Sequence, residues 1–174
     1  AALAQGRSVA LVGPAGVGKS TAATRAIGDR PAVRAQCLSV LQGLRYRALS
    51  HAFGVPFSGN PDSVAAQVVT HLDGRLLMIE DLHWADEATG RVAGLLADRG
   101  PALFTTRRSI PVAVPAACVV DVAPLSPEGA TALALELHPD LPPLDRAGLV
   151  EAAAGNPFLI RHLARGGSDS PTFE

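Results

Sequence analysis

The chain has almost no lysine: of its 15 Lys and Arg residues, Lys19 alone is lysine and the rest are arginine. Aromatic residues are also scarce, at 4% against 48% hydrophobic overall, so the core has to be assembled from Ala, Val and Leu. Neither sign of charge dominates. With a formal net charge of −1 and a pI near 6.6, the chain lacks the basic footprint that direct nucleic-acid binding requires. No apolar stretch approaches the roughly 20 residues that would span a bilayer, and no leader pattern opens the sequence. A cytoplasmic location and no membrane partner are therefore expected. Cysteine is confined to Cys37 and Cys118, which read as core thiols in a reducing compartment. The histidines are scattered without zinc spacing, so a metal cage made only of protein ligands is not expected.

At 174 residues the chain is long enough for one compact α/β unit with a small appendage. Its single lysine stands inside Gly13-Pro14-Ala15-Gly16-Val17-Gly18-Lys19-Ser20, a full match to the Walker A pattern G-x-x-x-x-G-K-[ST]. A compact ammonium on a flexible stem suits a phosphate cradle, whereas the planar fork of Arg does not. The short apolar run Ser8-Val9-Ala10-Leu11-Val12 before it reads as a buried parallel strand. The stretch from Ser20 to Ile27 after it reads as a helix, stopped by Gly28 and Pro31. Strand, glycine turn and helix N-terminus together aim backbone N–H groups and partial positive charge at one point. Lys19 then reaches the β- and γ-phosphates, and the Ser20 hydroxyl ligates Mg²⁺. The candidate nucleotide contacts are Gly13, Ala15, Gly16, Val17, Gly18, Lys19, Ser20 and Thr21. A chance glycine turn before a helix is the plain alternative.

Leu76-Leu77-Met78-Ile79 runs directly into Glu80-Asp81, the Walker B pattern of a buried strand ending in acids. Strand alternation sends these two acids to opposite faces, so Glu80 can address the metal while Asp81 orients water or stabilises the turn. Next comes Leu82-His83-Trp84-Ala85-Asp86, with Asp86 expected to cap a helix through Leu96. Trp84 reads as packing against the sheet edge and His83 as a turn residue with satisfied hydrogen bonds, near the phosphates. Ala102-Leu103-Phe104-Thr105-Thr106 reads as another strand, and Arg107 at its end as a sensor of the γ-phosphate; Arg108 reads as surface charge. Cys118 to Val122 and Val33 to Val40 complete five strands. One predicted helix presents Leu44, Ala48, Leu49, Ala52 and Phe53 on a face, with Arg45 and Arg47 solvated. Another presents Val64, Val68 and Leu72.

These residues together resemble the STAND branch of P-loop ATPases, above all the AAA-type ATPase module of large LuxR-family transcriptional regulators and related signalling proteins. The likeness is carried by Gly13 to Ser20, by Leu76 to Asp86, by Thr105-Thr106-Arg107, by Pro124-Leu125-Ser126-Pro127-Glu128 and by Gly155-Asn156-Pro157-Phe158. It implies an α/β P-loop three-layer sandwich: a parallel five-stranded sheet in the order 5-1-4-3-2 plus a small C-terminal helical lid. In that order Cys37 and Cys118 lie about 19 Å apart on opposite edges, beyond the roughly 7 Å a disulfide spans. The implied division is a nucleotide-binding core over 1–123, a lid over 124–166 and a tail over 167–174. Within the lid, Ser126-Pro127-Glu128 starts a helix with the stripe Ala130, Leu133, Ala134 and Leu137. Two more helices are expected around Asp145 to Ala154 and from Pro157 to Arg165, and the likeness places Pro157 near adenine. Two departures stand out: Glu80 where the family usually has Asp, and Asp81 where it often has Glu. Both favour binding over fast turnover.

The expected activity is therefore a slow ATPase acting as a switch, with ATP/ADP and Mg²⁺ as cofactors. Its expected partners are other domains of a longer regulatory chain and a second copy of itself, since both ends read as cut. Two alternatives stay open. A ring-forming motor needs an arginine finger in trans, for which Arg91 or Arg99 are the nominal candidates. A small-molecule kinase needs an arginine-bearing lid, for which only Arg146, Arg161 and Arg165 are offered.

Overall fold

The computed structural model describes residues 2–107, 114–115 and 117–163. Arg108, Arg165 and the tail 167–174 lie outside the described residues. Two compact units divide the chain: Ala1–Gly13 with Lys19–Asp121, and Pro14–Gly18 with Val122–Glu174.

The larger unit is built on strands β1 (Val9–Val12), β2 (Ala32–Gln36), β3 (Leu76–Glu80), β4 (Ala102–Thr106) and β5 (Cys118–Asp121). All neighbouring pairs are parallel, in the order β2-β3-β4-β1-β5, the order expected from the sequence. Strand β1 is apolar throughout, and β3 and β4 open as apolar runs before ending in Glu80 and in Thr105-Thr106, because both faces of these central strands are covered. Strand β2 alternates buried and exposed residues, and β5 is largely exposed, as suits the two edges. Cys37 follows one edge strand and Cys118 opens the other; both are free thiols.

Helices α1 (Lys19–Ile27), α2 (Arg47–Phe53), α3 (Pro61–Leu72) and α4 (Glu87–Arg99) belong to this unit. Asn60 caps α3 by accepting the Ser63 N–H, with Pro61 in the first turn, and Asp86 caps α4 through Thr89 N–H. Val64, Val68, Val92 and Ala93 join the β-strand core with no exposed surface. Ser8, just before β1, is buried and hydrogen-bonds the Gly100 carbonyl and the Ala102 N–H, tying the P-loop strand to the start of β4.

Two boundaries differ from the sequence expectation. Strand β2 stops at Gln36, and Ser39–Leu41 forms a 3-10 turn instead of extending the strand to Val40. Leu44 is exposed and lies outside α2, which starts at Arg47 because Tyr46 takes a left-handed conformation. Long-range bonds hold Tyr46 there: its N–H donates to Asp86 Oδ2 and its buried phenol to the Gly59 carbonyl. Arg45 is exposed but not simply solvated, since its guanidinium bonds the Tyr46 hydroxyl and lies over its ring.

In the smaller unit α5 (Pro127–Leu137), α6 (Pro143–Ala153) and α7 (Pro157–Leu163) enclose their own cluster of Ala130, Ala134, Leu149, Ala153 and Ile160. Ser126 caps α5 by accepting the Gly129 N–H at 3.1 Å. Gly155 is left-handed and packs so close to the Leu125 carbonyl that a Cβ would overlap it. Only glycine fits at that crossing. Among the described residues no helix is long and apolar enough to cross a membrane.

Candidate functional site

The chemistry of the larger unit gathers at the carboxyl ends of β1, β3 and β4, where an open parallel sheet leaves its ligand crevice. Gly13 leaves β1 with its N–H donating to the Thr106 carbonyl of β4 at 3.2 Å. Lys19 opens α1 with its ammonium turned back to donate to the Gly13 carbonyl at 3.0 Å. The side chain is buried, and burial pulls its pKa below the ordinary lysine value, opposed by the nearby Asp81 carboxylate and reinforced by Arg107. Three of the sequence candidates thus share one electrostatic neighbourhood.

Ser20 and Glu80 are 60 residues apart, yet the Ser20 hydroxyl donates to Glu80 Oε2 at 2.8 Å. The hydroxyl at the start of α1 and the acid that closes β3 therefore meet directly. Thr21 follows on the exposed first turn of α1. Asp81 is the next residue after β3 and adopts φ 52°, a left-handed conformation that costs a non-glycine residue about 1 kcal/mol or more. The buried Thr105 hydroxyl of β4 holds it by accepting the Asp81 N–H at 3.0 Å. This turn separates the two acids: Glu80 stays with the strand while Asp81 leaves it.

Arg107 at the end of β4 lies with its guanidinium 5.7 Å from the centre of the Trp84 ring. Trp84 itself is half-buried against the core, with the ring of the adjacent His83 centred 4.9 Å from its own. Neither His83 ring nitrogen has a hydrogen-bond partner among the described residues, contrary to the satisfied turn histidine expected from the sequence. Its pKa is lowered by burial first; Asp81 opposes the shift, while Arg107 and Lys19 add to it, which favours the neutral imidazole. Asp86, last of the acidic string, is fully committed to structure: it caps α4 and holds the Tyr46 N–H.

In the smaller unit, Pro14–Gly18 forms the crest of the glycine loop, with Gly16 at φ 74° and Gly18 at φ 99°. Val17 is buried, Ala15 exposed. Asn156 donates from Nδ2 to the Ala15 carbonyl at 3.0 Å, and the Phe158 N–H donates to the Gly16 carbonyl at 3.3 Å. Pro157, between them, opens α7 and is half-buried.

Sequence reasoning missed Thr105 as the support of Asp81 and Asn156 as a partner of the loop. Two polar residues closing a buried strand were the available signal for Thr105. For Asn156, an Asn before a helix-opening Pro announces a cap but says nothing of a second partner. Three of the five arginines weighed for other mechanisms are engaged elsewhere. Arg91 pairs with Glu87 at 2.7 Å, Arg99 lies 4.0 Å from Asp62, and Arg146 of α6 donates to the Leu141 carbonyl in the loop before that helix.

No family model matches this sequence, and no curated protein does. Among solved structures, it is similar to PH0952 of Pyrococcus horikoshii, described as a Signal Transduction ATPase with Numerous Domains (STAND) protein with a tetratricopeptide repeat sensor. The two share 18% identity with a TM-score of 0.63, over 97% of this chain and 29% of that protein's length. A likeness at that identity shows the fold. The chain shares its α/β fold, a five-stranded parallel sheet with helices, with the matching part of that protein.

Proposed function

We propose that this chain is an ATP-binding, slowly ATP-hydrolysing switch module of a larger regulatory, transcriptional protein. The observation that carries the reading is the 2.8 Å hydrogen bond between Ser20 and Glu80, which pairs the two oxygen donors a phosphate-bound Mg²⁺ needs. Hard oxygen ligands, few of them from protein, suit that ion's habit of keeping phosphates and waters in its shell. Bound there, Mg²⁺ would neutralise charge on the β- and γ-phosphates.

The chain's own residues do the rest. The backbone of Gly13 to Gly18 and the ammonium of Lys19 grip the polyphosphate, with Ser20 and Thr21 at the helix N-terminus. Asp81, held off the strand by its left-handed turn, orients the attacking water. Arg107 reads the γ-phosphate, and its electrostatic reach to Lys19 supports that role. Residues 1–123 act as the core and 124–166 as the lid, which closes when ATP is bound and brings Pro157 to the adenine. The surface ion pairs of Arg91 and Arg99 and the loop bonds of Arg146 favour this switch over a ring motor or a kinase.

Titration calorimetry with ATP and Mg²⁺ tests the reading. Wild type should bind, and Lys19→Ala should lose about 100-fold or more in affinity, as expected when a charge-assisted contact to phosphate is removed. Equal binding by both proteins overturns the phosphate-cradle assignment. Pro157→Ala should reduce discrimination between ATP and GTP; an equal loss for every triphosphate would remove Pro157 from the base.

A further inference from the structure

The contacts of Asn156 define a task that a plain helix cap does not need. Its Oδ1 accepts the Phe158 N–H at 3.0 Å and its carbonyl accepts the Ile160 N–H, which starts α7. Its Nδ2 is thereby left to reach outward, and it donates to Ala15 at 3.0 Å. The Phe158 N–H is shared with the Gly16 carbonyl at 3.3 Å. Two successive carbonyls of the glycine loop therefore point at the same helix start.

Peptide planarity turns this into a statement about the opposite side of the loop. In a trans peptide the C=O of one residue and the N–H of the next point in opposite directions, and the described chain has no cis bond. With the Ala15 and Gly16 carbonyls drawn toward α7, the N–H groups of Gly16 and Val17 must face away from it. Among the described residues neither N–H donates to a protein acceptor. The loop is also fitted to this contact: a Cβ on Gly16 would meet Asn156 Oδ1 at 2.7 Å and Phe158 Cβ at 2.8 Å.

We propose that Asn156 is a positioning residue for the phosphate loop: by holding the Ala15 carbonyl it turns the Gly16 and Val17 N–H groups toward a bound polyphosphate. The inference rests on the nucleotide reading above and deepens it. It also supplies a physical link between ligand and lid. Whatever phosphate does to the loop, α7 feels through Asn156, and by thermodynamic reciprocity the state of α7 alters phosphate affinity equally.

The test uses this chain and three ligands: ATP, inorganic tripolyphosphate and adenosine. Asn156→Ser keeps a cap of comparable strength but is too short to reach Ala15 while capping. Its affinity for ATP and for tripolyphosphate should fall together by about tenfold, the usual weight of one lost hydrogen bond. Its adenosine affinity should not change, and its melting temperature should fall by no more than about 3 °C, the weight of the one bond lost. Asn156→Asp, which keeps the shape and the cap but replaces the donor by an acid, should lose more for both phosphates than Ser does. Undiminished tripolyphosphate binding in both variants overturns the proposal, and so does a loss confined to ATP, which would make Asn156 a base contact. Failure of the wild type itself to bind ATP or tripolyphosphate overturns the nucleotide reading, and this proposal with it.

Discussion

Replacing Gly16 by alanine should be far more damaging than the backbone angle alone implies. Gly74 provides the matched comparison: it has the same φ of 74°, and a Cβ there meets nothing within 4 Å. Gly74→Ala therefore costs only the left-handed penalty, about 1–2 kcal/mol. Gly16→Ala adds a Cβ at 2.7 Å from Asn156 Oδ1 and 2.8 Å from Phe158 Cβ. The Asn156 side chain can swing away, but it then gives up its bond to Ala15 and its cap on α7, about 1 kcal/mol each. Phe158 Cβ is fixed to the helix backbone, so α7 must also shift, which costs on the order of 1 kcal/mol more. The total comes to about 4 kcal/mol. For a chain of this size that predicts a fall in melting temperature of about 12 °C for Gly16→Ala against about 4 °C for Gly74→Ala. Scanning calorimetry of the two variants without nucleotide decides it. Equal shifts would refute the close packing of the loop crest against Asn156 and Phe158.

Lys19→Met should abolish ATP affinity yet leave the nucleotide-free protein at least as stable as wild type, because burial already disfavours the ammonium. Since the folded pKa lies below the unfolded one, the unfolded chain holds more protons between those two values, so wild-type stability should rise with pH through that window. Denaturant midpoints measured up to about pH 10 should show that slope in wild type and not in the variant. Asp81→Asn should slow phosphate release while retaining ATP, and Glu80→Gln should instead weaken the Mg²⁺-dependent part of binding; single-turnover assays showing the reverse would exchange the two roles. Iodoacetamide should label half-buried Cys118 before Cys37, whose thiol is pushed up to about 12 by burial together with Asp86 and Asp81. At pH 8 that leaves about one thiolate in ten thousand at Cys37, and faster labelling of Cys37 in peptide mapping would contradict its burial.

The strands themselves, the helix starts at Glu87 and Pro127, and the acid-ended run Leu76–Glu80 were legible in the residues, while the strand order came with the family resemblance. Those elements are written in local signals: apolar runs for strands covered on both faces, and Asp86 and Ser126 as caps. Tertiary structure alone decided the rest. Tyr46 is turned left-handed by Asp86, 40 residues away, and α2 begins later than its apolar stripe suggests. Asp81 leaves its strand because a hydroxyl on a neighbouring strand accepts its N–H. Gly16 must be glycine partly for Asn156 and Phe158, some 140 residues further along. Capping, periodicity and phosphate-loop spacing are properties of a few consecutive residues, so a linear sequence can display them. A hydrogen bond across the sheet or a Cβ with no room exists only once distant segments have met.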